Sequence, residues 1–244
     1  MKPVLPLIAL FSFLASPLLA TDIDFYLGLE WVEPEPGQEL RLLGIYPSDL
    51  PEGVEDFKVL APTENPITRH GALLSHVILA DDQWLQGKLV EDGKAIVMPV
   101  YELDQGRLYT LKNIEIGARM KRRGLWAKSP VVCAWGAKSA FDTFAIIQGK
   151  ITEAANVRGT IYLNFGEDYR EDFTIKITRQ NFKKLKEDTQ NALTRLTEEE
   201  EPDRVIEARG WVFFSGGPMI DIKTDAQLDF LRQGDPLIIE RCNS

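Results

Sequence analysis

Imidazole and thiol groups are few. Only two histidines and two cysteines occur in the 244 residues. His70 and His76 fall on or near one candidate strand, Leu73 to Leu79. Two imidazoles without a cysteine pair cannot complete a zinc site by themselves. Cys133 and Cys242 are an even count, which in an oxidising compartment favours a disulfide. The alternative is two separate thiols, one in a strand and one near the C-terminus. No Ser-His-Asp arrangement is readable, no Gly-x-Gly-x-x-Gly follows a strand, and there is no phosphate loop. Lys121-Arg122-Arg123 is a basic run. At the end of a helix it matches the dipole and reads as a solvated terminus rather than a nucleic-acid patch.

The elements that must position these groups are mostly strands. Residues 27 to 45 read as a β-hairpin, with turn chemistry at Glu33-Pro34-Glu35-Pro36-Gly37. A Pro-rich irregular stretch follows from Pro47 to Pro66. After the strand Leu73 to Leu79, a short helix carries Trp84, Leu85, Leu89 and Val90 and stops at Gly93. Ala95 to Val100 reads as a strand. Thr110 is the expected cap of a longer helix, with Glu115 in its first turns and Gly124 as its stop. In the second half, Ala145 to Gln148, Thr160 to Phe165, Phe173 to Ile177, Val205 to Val212 and Met219 to Ile222 are strand candidates. Asn181 to Glu199 reads as one helix, and an acidic loop runs to Pro202. Five short strands and a helix suit a small OB-type barrel.

The first twenty residues have the form of a secretory signal. Lys2 supplies the positive start, Val4 to Leu14 the apolar core, and Leu18-Leu19-Ala20 the small-residue cleavage point before Thr21. The apolar core is shorter than the ~20 residues that span a bilayer. The net charge is −9, and acidic residues outnumber basic ones in both halves. An acidic surface repels a polyanion at long range, which disfavours general nucleic-acid affinity and leaves only a local site.

Three segments occur in a telling order. They are Arg41-Leu42-Leu43-Gly44-Ile45; then Arg69-His70-Gly71-Ala72-Leu73-Leu74 running on to Leu89-Val90-Glu91-Asp92-Gly93-Lys94-Ala95; then Ala118 to Trp126, ending Gly124-Leu125-Trp126. Together they resemble staphylococcal nuclease and its thermonuclease relatives over residues 27 to 128. The resemblance implies phosphodiester hydrolysis in which carboxylates hold Ca²⁺, a Glu orients water and two Arg side chains stabilise developing charge. Arg41 matches the first arginine. The Ca²⁺-binding Asp falls on Tyr46, which has no carboxylate. The water-orienting Glu falls on Asp49, one methylene shorter. The second arginine falls on Ala72. The family's acidic entry motif is absent; Asp22 and Asp24 lie nearby without its spacing. Loss of one transition-state donor costs ~2.7–4 kcal/mol, and Ca²⁺ wants about six to eight oxygen ligands, so the resemblance implies a frame stripped of most of its catalysis.

The second half has its own resemblance. Asn156 to Gly166, Asp172-Phe173-Thr174, Arg209-Gly210-Trp211 and Gly217-Pro218-Met219-Ile220 are similar to a domain that follows nuclease-like domains in some bacterial exported proteins. It carries no catalytic assignment. Asn164, Asp172 and Arg209 are candidates for a polar binding site, against the alternative that they satisfy turns and bulges.

The expectation is therefore an α+β, mainly β chain. A signal peptide at 1–20 precedes two tandem OB-fold-like five-stranded barrels with short helices, at 21–128 (thermonuclease-like) and 129–235, and a tail at 236–244. The expected function is that of an exported, periplasmic or secreted, catalytically degenerate binding module. The alternatives are a Ca²⁺-dependent nuclease using Arg41 and Asp49, with Asp22 and Asp24 as rearranged acids, and an envelope structural or assembly factor. No cofactor is expected, except Ca²⁺ under the nuclease alternative. A protein or envelope ligand is the expected partner, and no membrane span remains after signal cleavage.

Overall fold

The computed structural model describes residues 28–99, 105–168, 170–198 and 204–242. The expected signal, Asp22 and Asp24, and most of the acidic loop lie outside the described residues. None of the described helices is long and apolar enough to cross a membrane.

The first half contains β1 (Leu29–Val32), β2 (Leu40–Leu42), β3 (Ile45–Tyr46), β4 (Phe57–Pro62), β5 (Leu73–Leu79), α1 (Leu85–Glu91), β6 (Ile96–Val97) and α2 (Gln105–Met120). The second contains β7 (Val131–Cys133), β8 (Phe144–Lys150), β9 (Glu153–Val157), β10 (Thr160–Asn164), β11 (Thr174–Ile177), α3 (Arg179–Phe182), α4 (Glu187–Glu198), β12 (Val205–Trp211), β13 (Phe213–Phe214), β14 (Pro218–Asp221) and β15 (Leu228–Leu231).

The α+β, mainly strand character stands. The strand pairing is where the expectation needs correction. In the first half the order is β1-β4-β5-β2, with β3 and β6 as a separate pair; in the second, β13-β14-β11-β10-β9 and β15-β12-β8-β7 form two sheets. Among the described residues these pairings close no barrel, and no sheet mixes strands from before and after residue 128. The 27–45 hairpin does not form. β1 pairs antiparallel with β4, which lies inside the stretch read as irregular, and β2 runs parallel to β5. Each strand therefore finds its partner well beyond its neighbour in sequence.

Two helix expectations also change. Thr110 lies within α2 rather than capping it, so Glu115 is a mid-helix residue. The single helix from Asn181 divides into α3 and α4, separated by Lys183 to Lys186. Thr178 caps α3 by accepting from the Asn181 amide at 3.2 Å. Gly93 does end α1, with φ +67°.

Each half has its own core. Leu42, Ile45, Leu60, Val77, Trp84 and Leu111 pack in the first. Ile147, Leu163, Phe173, Ile175, Leu193, Ile206 and Ile220 pack in the second, between its two sheets and α4. A third cluster joins them: Ile96, Ala118 and Trp126 meet Val131, Phe144 and Ile146.

Candidate functional site

Arg41 sits on β2, and the segment after β3 folds back beneath it. The Tyr46–Pro47 peptide is cis, Leu42 donates its amide to the Ser48 carbonyl at 2.6 Å, and Arg41 and Asp49 face each other across an isolated antiparallel bridge. The structure thus brings Arg41 and Asp49 together. They form an ion pair, and Glu39 holds the other guanidinium nitrogen at 2.6 Å. Both terminal nitrogens of the one matching arginine are engaged by this chain's own carboxylates.

The remaining positions of the nuclease-like frame hold no matching groups. Tyr46 directs its ring to Phe144 and Trp211, with centroids 5.6 and 6.0 Å away; it is part of an aromatic contact between the halves. Ala72 is buried at 2% exposure and donates its amide to Thr68 Oγ1 at 3.1 Å. Among the described residues no group of three or more His, Cys, Asp or Glu side chains is placed to hold a metal ion. Asp49 instead lines a cavity of about 630 Å³ under the 47–55 loop, with Lys88, Asp92 and Lys94 on its far wall.

The three candidates of the second half do not converge. Asn164 accepts from Thr174 Oγ1 at 3.0 Å and donates to Glu153 at 3.1 Å, holding β9, β10 and β11 in register. Asp172 accepts from the Asp168 amide at 2.9 Å, closing the 166–172 turn, and its carboxylate occupies the space where a Cβ on Gly166 would stand. Both serve local structure. Arg209 is the correction: it lies on the other sheet, only 1% exposed, and lines no open site.

Arg209 is the hub of a buried charge network. Its guanidinium donates to Glu115 of α2 at 2.8 Å, to the Val97 carbonyl at 3.1 Å and to Glu207 at 3.1 Å. Glu207 in turn accepts a two-pronged contact from Arg119 of α2, both distances 2.7 Å. Glu115 also accepts from the Val97 amide at 2.6 Å. Lys112 extends the network to Asp229 at 2.6 Å. Acids and bases alternate, and each buried charge has a counter-charge. Burial pushes the Glu207 carboxyl up, but the bonds from Arg119 and the charges of Arg119 and Arg209 outweigh it and hold the group below the usual range. One signal was available: Glu207 and Arg209 share a face of an otherwise apolar strand.

Cys133 and Cys242 are joined as a disulfide across 109 residues. The surrounding segment is held by Gln148, which donates to the Leu237 carbonyl at 3.0 Å and accepts from the Ile239 amide at 2.6 Å.

Among known families, residues 54–128 match the staphylococcal nuclease homologues. No curated protein matches the chain. The matched segment runs from the strand β4 through β5, α1, β6 and α2 to the Gly124-Leu125-Trp126 turn. It includes Ala72 and leaves Arg41, Tyr46 and Asp49 outside. Residues 54–128, then, are similar to the staphylococcal nuclease homologues.

Proposed function

We propose that the chain is an exported protein on a nuclease frame that has lost most of its catalysis and works as a binding module. One observation carries the reading. Arg41 is ion-paired to Glu39 and Asp49, while the position of the second arginine is a buried alanine. A transition-state cation must face developing charge on substrate, and each one lost costs ~2.7–4 kcal/mol. Export rests on the Lys2, apolar-core and Ala20 pattern of the first twenty residues.

A Ca²⁺-dependent nuclease is the second reading. It is favoured by the pairing of Arg41 with Asp49, because the family resemblance assigns those two positions to catalysis. One assay separates the two. The mature chain is incubated with single-stranded DNA, with Ca²⁺ and with chelator. The expected result is no chelator-sensitive cleavage. Cleavage that chelator abolishes and that disappears in Arg41→Ala would establish the nuclease reading and remove the first.

A further inference from the structure

Beyond β15 the chain runs from Arg232 to Cys242 as an irregular strap ending in the short Glu240–Cys242 turn. Its own backbone bonds are local. Asp235 donates to the Arg232 carbonyl at 2.9 Å, Ile238 to that of Asp235 at 3.0 Å and Cys242 to that of Ile239 at 2.8 Å. Arg232, Gln233, Gly234 and Pro236 are exposed. The far part of the strap is tied down at its end. Gln148 of β8, fully buried, donates to the Leu237 carbonyl at 3.0 Å and accepts from the Ile239 amide at 2.6 Å. The same side-chain nitrogen donates to Glu207 at 3.1 Å. The exposed Trp135 donates to the Arg241 carbonyl at 3.4 Å, and Ile239 packs against the cluster that joins the halves. Cys242 is bonded to Cys133 of β7. Gln148 therefore stands between the strap and the charge network, and the strap covers it.

A few hydrogen bonds and one half-buried isoleucine are little to set against the entropy of ordering an irregular segment. A covalent tether changes that balance, and more so the longer the loop it closes, here 109 residues. We propose that the Cys133–Cys242 disulfide is a redox latch. Oxidised, it holds the strap over Gln148 and keeps water from Glu207 and its arginine partners. Reduced, it lets the strap lift, and the joint between the halves loosens. Water at Glu207 weakens its pairing with Arg119, and Ile239 leaves the apolar cluster. A dithiol supplies the two electrons. One of its thiolates attacks a sulfur of the bridge and breaks the S–S bond, and its second thiolate resolves the mixed disulfide. The two protons of the dithiol pass to the cysteine sulfurs, and the reductant leaves as a cyclic disulfide. Cys133 and Cys242 are both buried, so the Glu240–Cys242 turn must lift for the attack. An oxidising compartment keeps the latch closed. The inference goes beyond the binding-module reading and depends on no ligand.

Amide hydrogen exchange of the mature chain, read by mass spectrometry with and without dithiothreitol, tests it, with alkylation of both thiols confirming reduction. Exchange at Leu237, Ile239 and Cys242 should speed up at least about tenfold on reduction. A smaller rise is expected in α2 and β12, which carry the network, while β4 and β5 keep their protection. The double variant Cys133→Ser with Cys242→Ser should show the same pattern without reductant; should it not fold, the reduced wild type carries the test. Unchanged exchange in the strap after confirmed reduction overturns the latch, as do two free thiols in the purified chain before any reductant is added. A rise confined to the strap overturns the unsealing of the network. A rise that includes β4 and β5 makes the disulfide a staple of the whole fold and overturns the proposal as well. None of these outcomes bears on DNA cleavage, so the latch and the binding-module reading fail separately.

Discussion

His76 shows most clearly what burial does to a single residue in this chain. It lies on β5 with no exposed surface, its ring 5.5 Å from that of Trp84 and its Nδ1 3.4 Å from Gln86 Nε2. Burial first, and the Arg107 charge second, push its pKa down to about 3. The folded chain therefore keeps His76 neutral where the unfolded chain begins to protonate it near pH ~6.5. A depressed folded pKa means that stability is fully present above the unfolded value and falls as pH drops below it. The expected loss is up to about 1.4 kcal/mol per pH unit, beginning near pH ~6.5. Glu207, also held below its usual range, adds its loss only where carboxylates titrate, so the window down to about pH 5 isolates the histidine. Denaturant midpoints across that window should slope downward in the wild type and lie flatter in His76→Gln. Equal slopes would mean that the imidazole is not the titrating group.

The elements of the matched segment are joined by backbone as much as by side chains. Gly93 follows the end of α1 and Gly124 follows the turn after α2, and the two glycines meet. Leu125 donates its amide to the Gly93 carbonyl at 2.8 Å. A Cβ on Gly124 would stand 2.4 Å from the Gly93 carbonyl oxygen and 2.6 Å from that of Asp92, with φ at +48°. Neither oxygen belongs to a flexible side chain that could move aside. Gly124→Ala should cost about 2–4 kcal/mol, from left-handed backbone and overpacking together. Gly117→Ala is the control: it lies inside α2 with open space around it, and should be neutral or stabilising by up to ~1 kcal/mol. Thermal unfolding of the two variants decides; similar midpoints would remove the close-approach argument. Gly93 was legible as a helix stop, and Leu73 to Leu79 as a strand, because those signals are local, whereas α2 stops at Met120, short of the expected Gly124. The pairing of β1 with β4 was not. A turn-rich stretch between two apolar runs reads as a hairpin from sequence, whereas burying Leu60 and Ala61 beside β5 decides the partner. The α2 start was misplaced for a similar reason: Thr110 has the chemistry of a cap, but nothing in its neighbourhood announces that Gln105 to Tyr109 are already helical.

At the scale of the molecule, the question is what makes two separately cored halves one protein. The disulfide closes the second half onto itself, from β7 to the C-terminal turn at Glu240–Cys242. The halves themselves are joined by the apolar cluster around Trp126 and Phe144 and by the charge network on the α2–β12 face. No spacing rule could have found that network, since Glu115 and Arg209 are 94 residues apart. Arg209 is its hub, and a buried ion pair is worth little against a good apolar replacement, while breaking one by removing a single partner is severe. Arg209→Met should therefore cost about 3–5 kcal/mol, because Glu115 keeps its charge, buried at 1% exposure, and loses its direct ion-pair partner. Adding Glu115→Gln removes that stranded charge, and the double variant should regain a large part of the loss. A denaturant double-mutant cycle measures the coupling, expected at about 1–3 kcal/mol between the two sites. Strict additivity would mean that the pair is not what couples the halves. An unchanged denaturant slope alongside the shifted midpoint would locate the loss in the native state rather than in a change of unfolding mechanism.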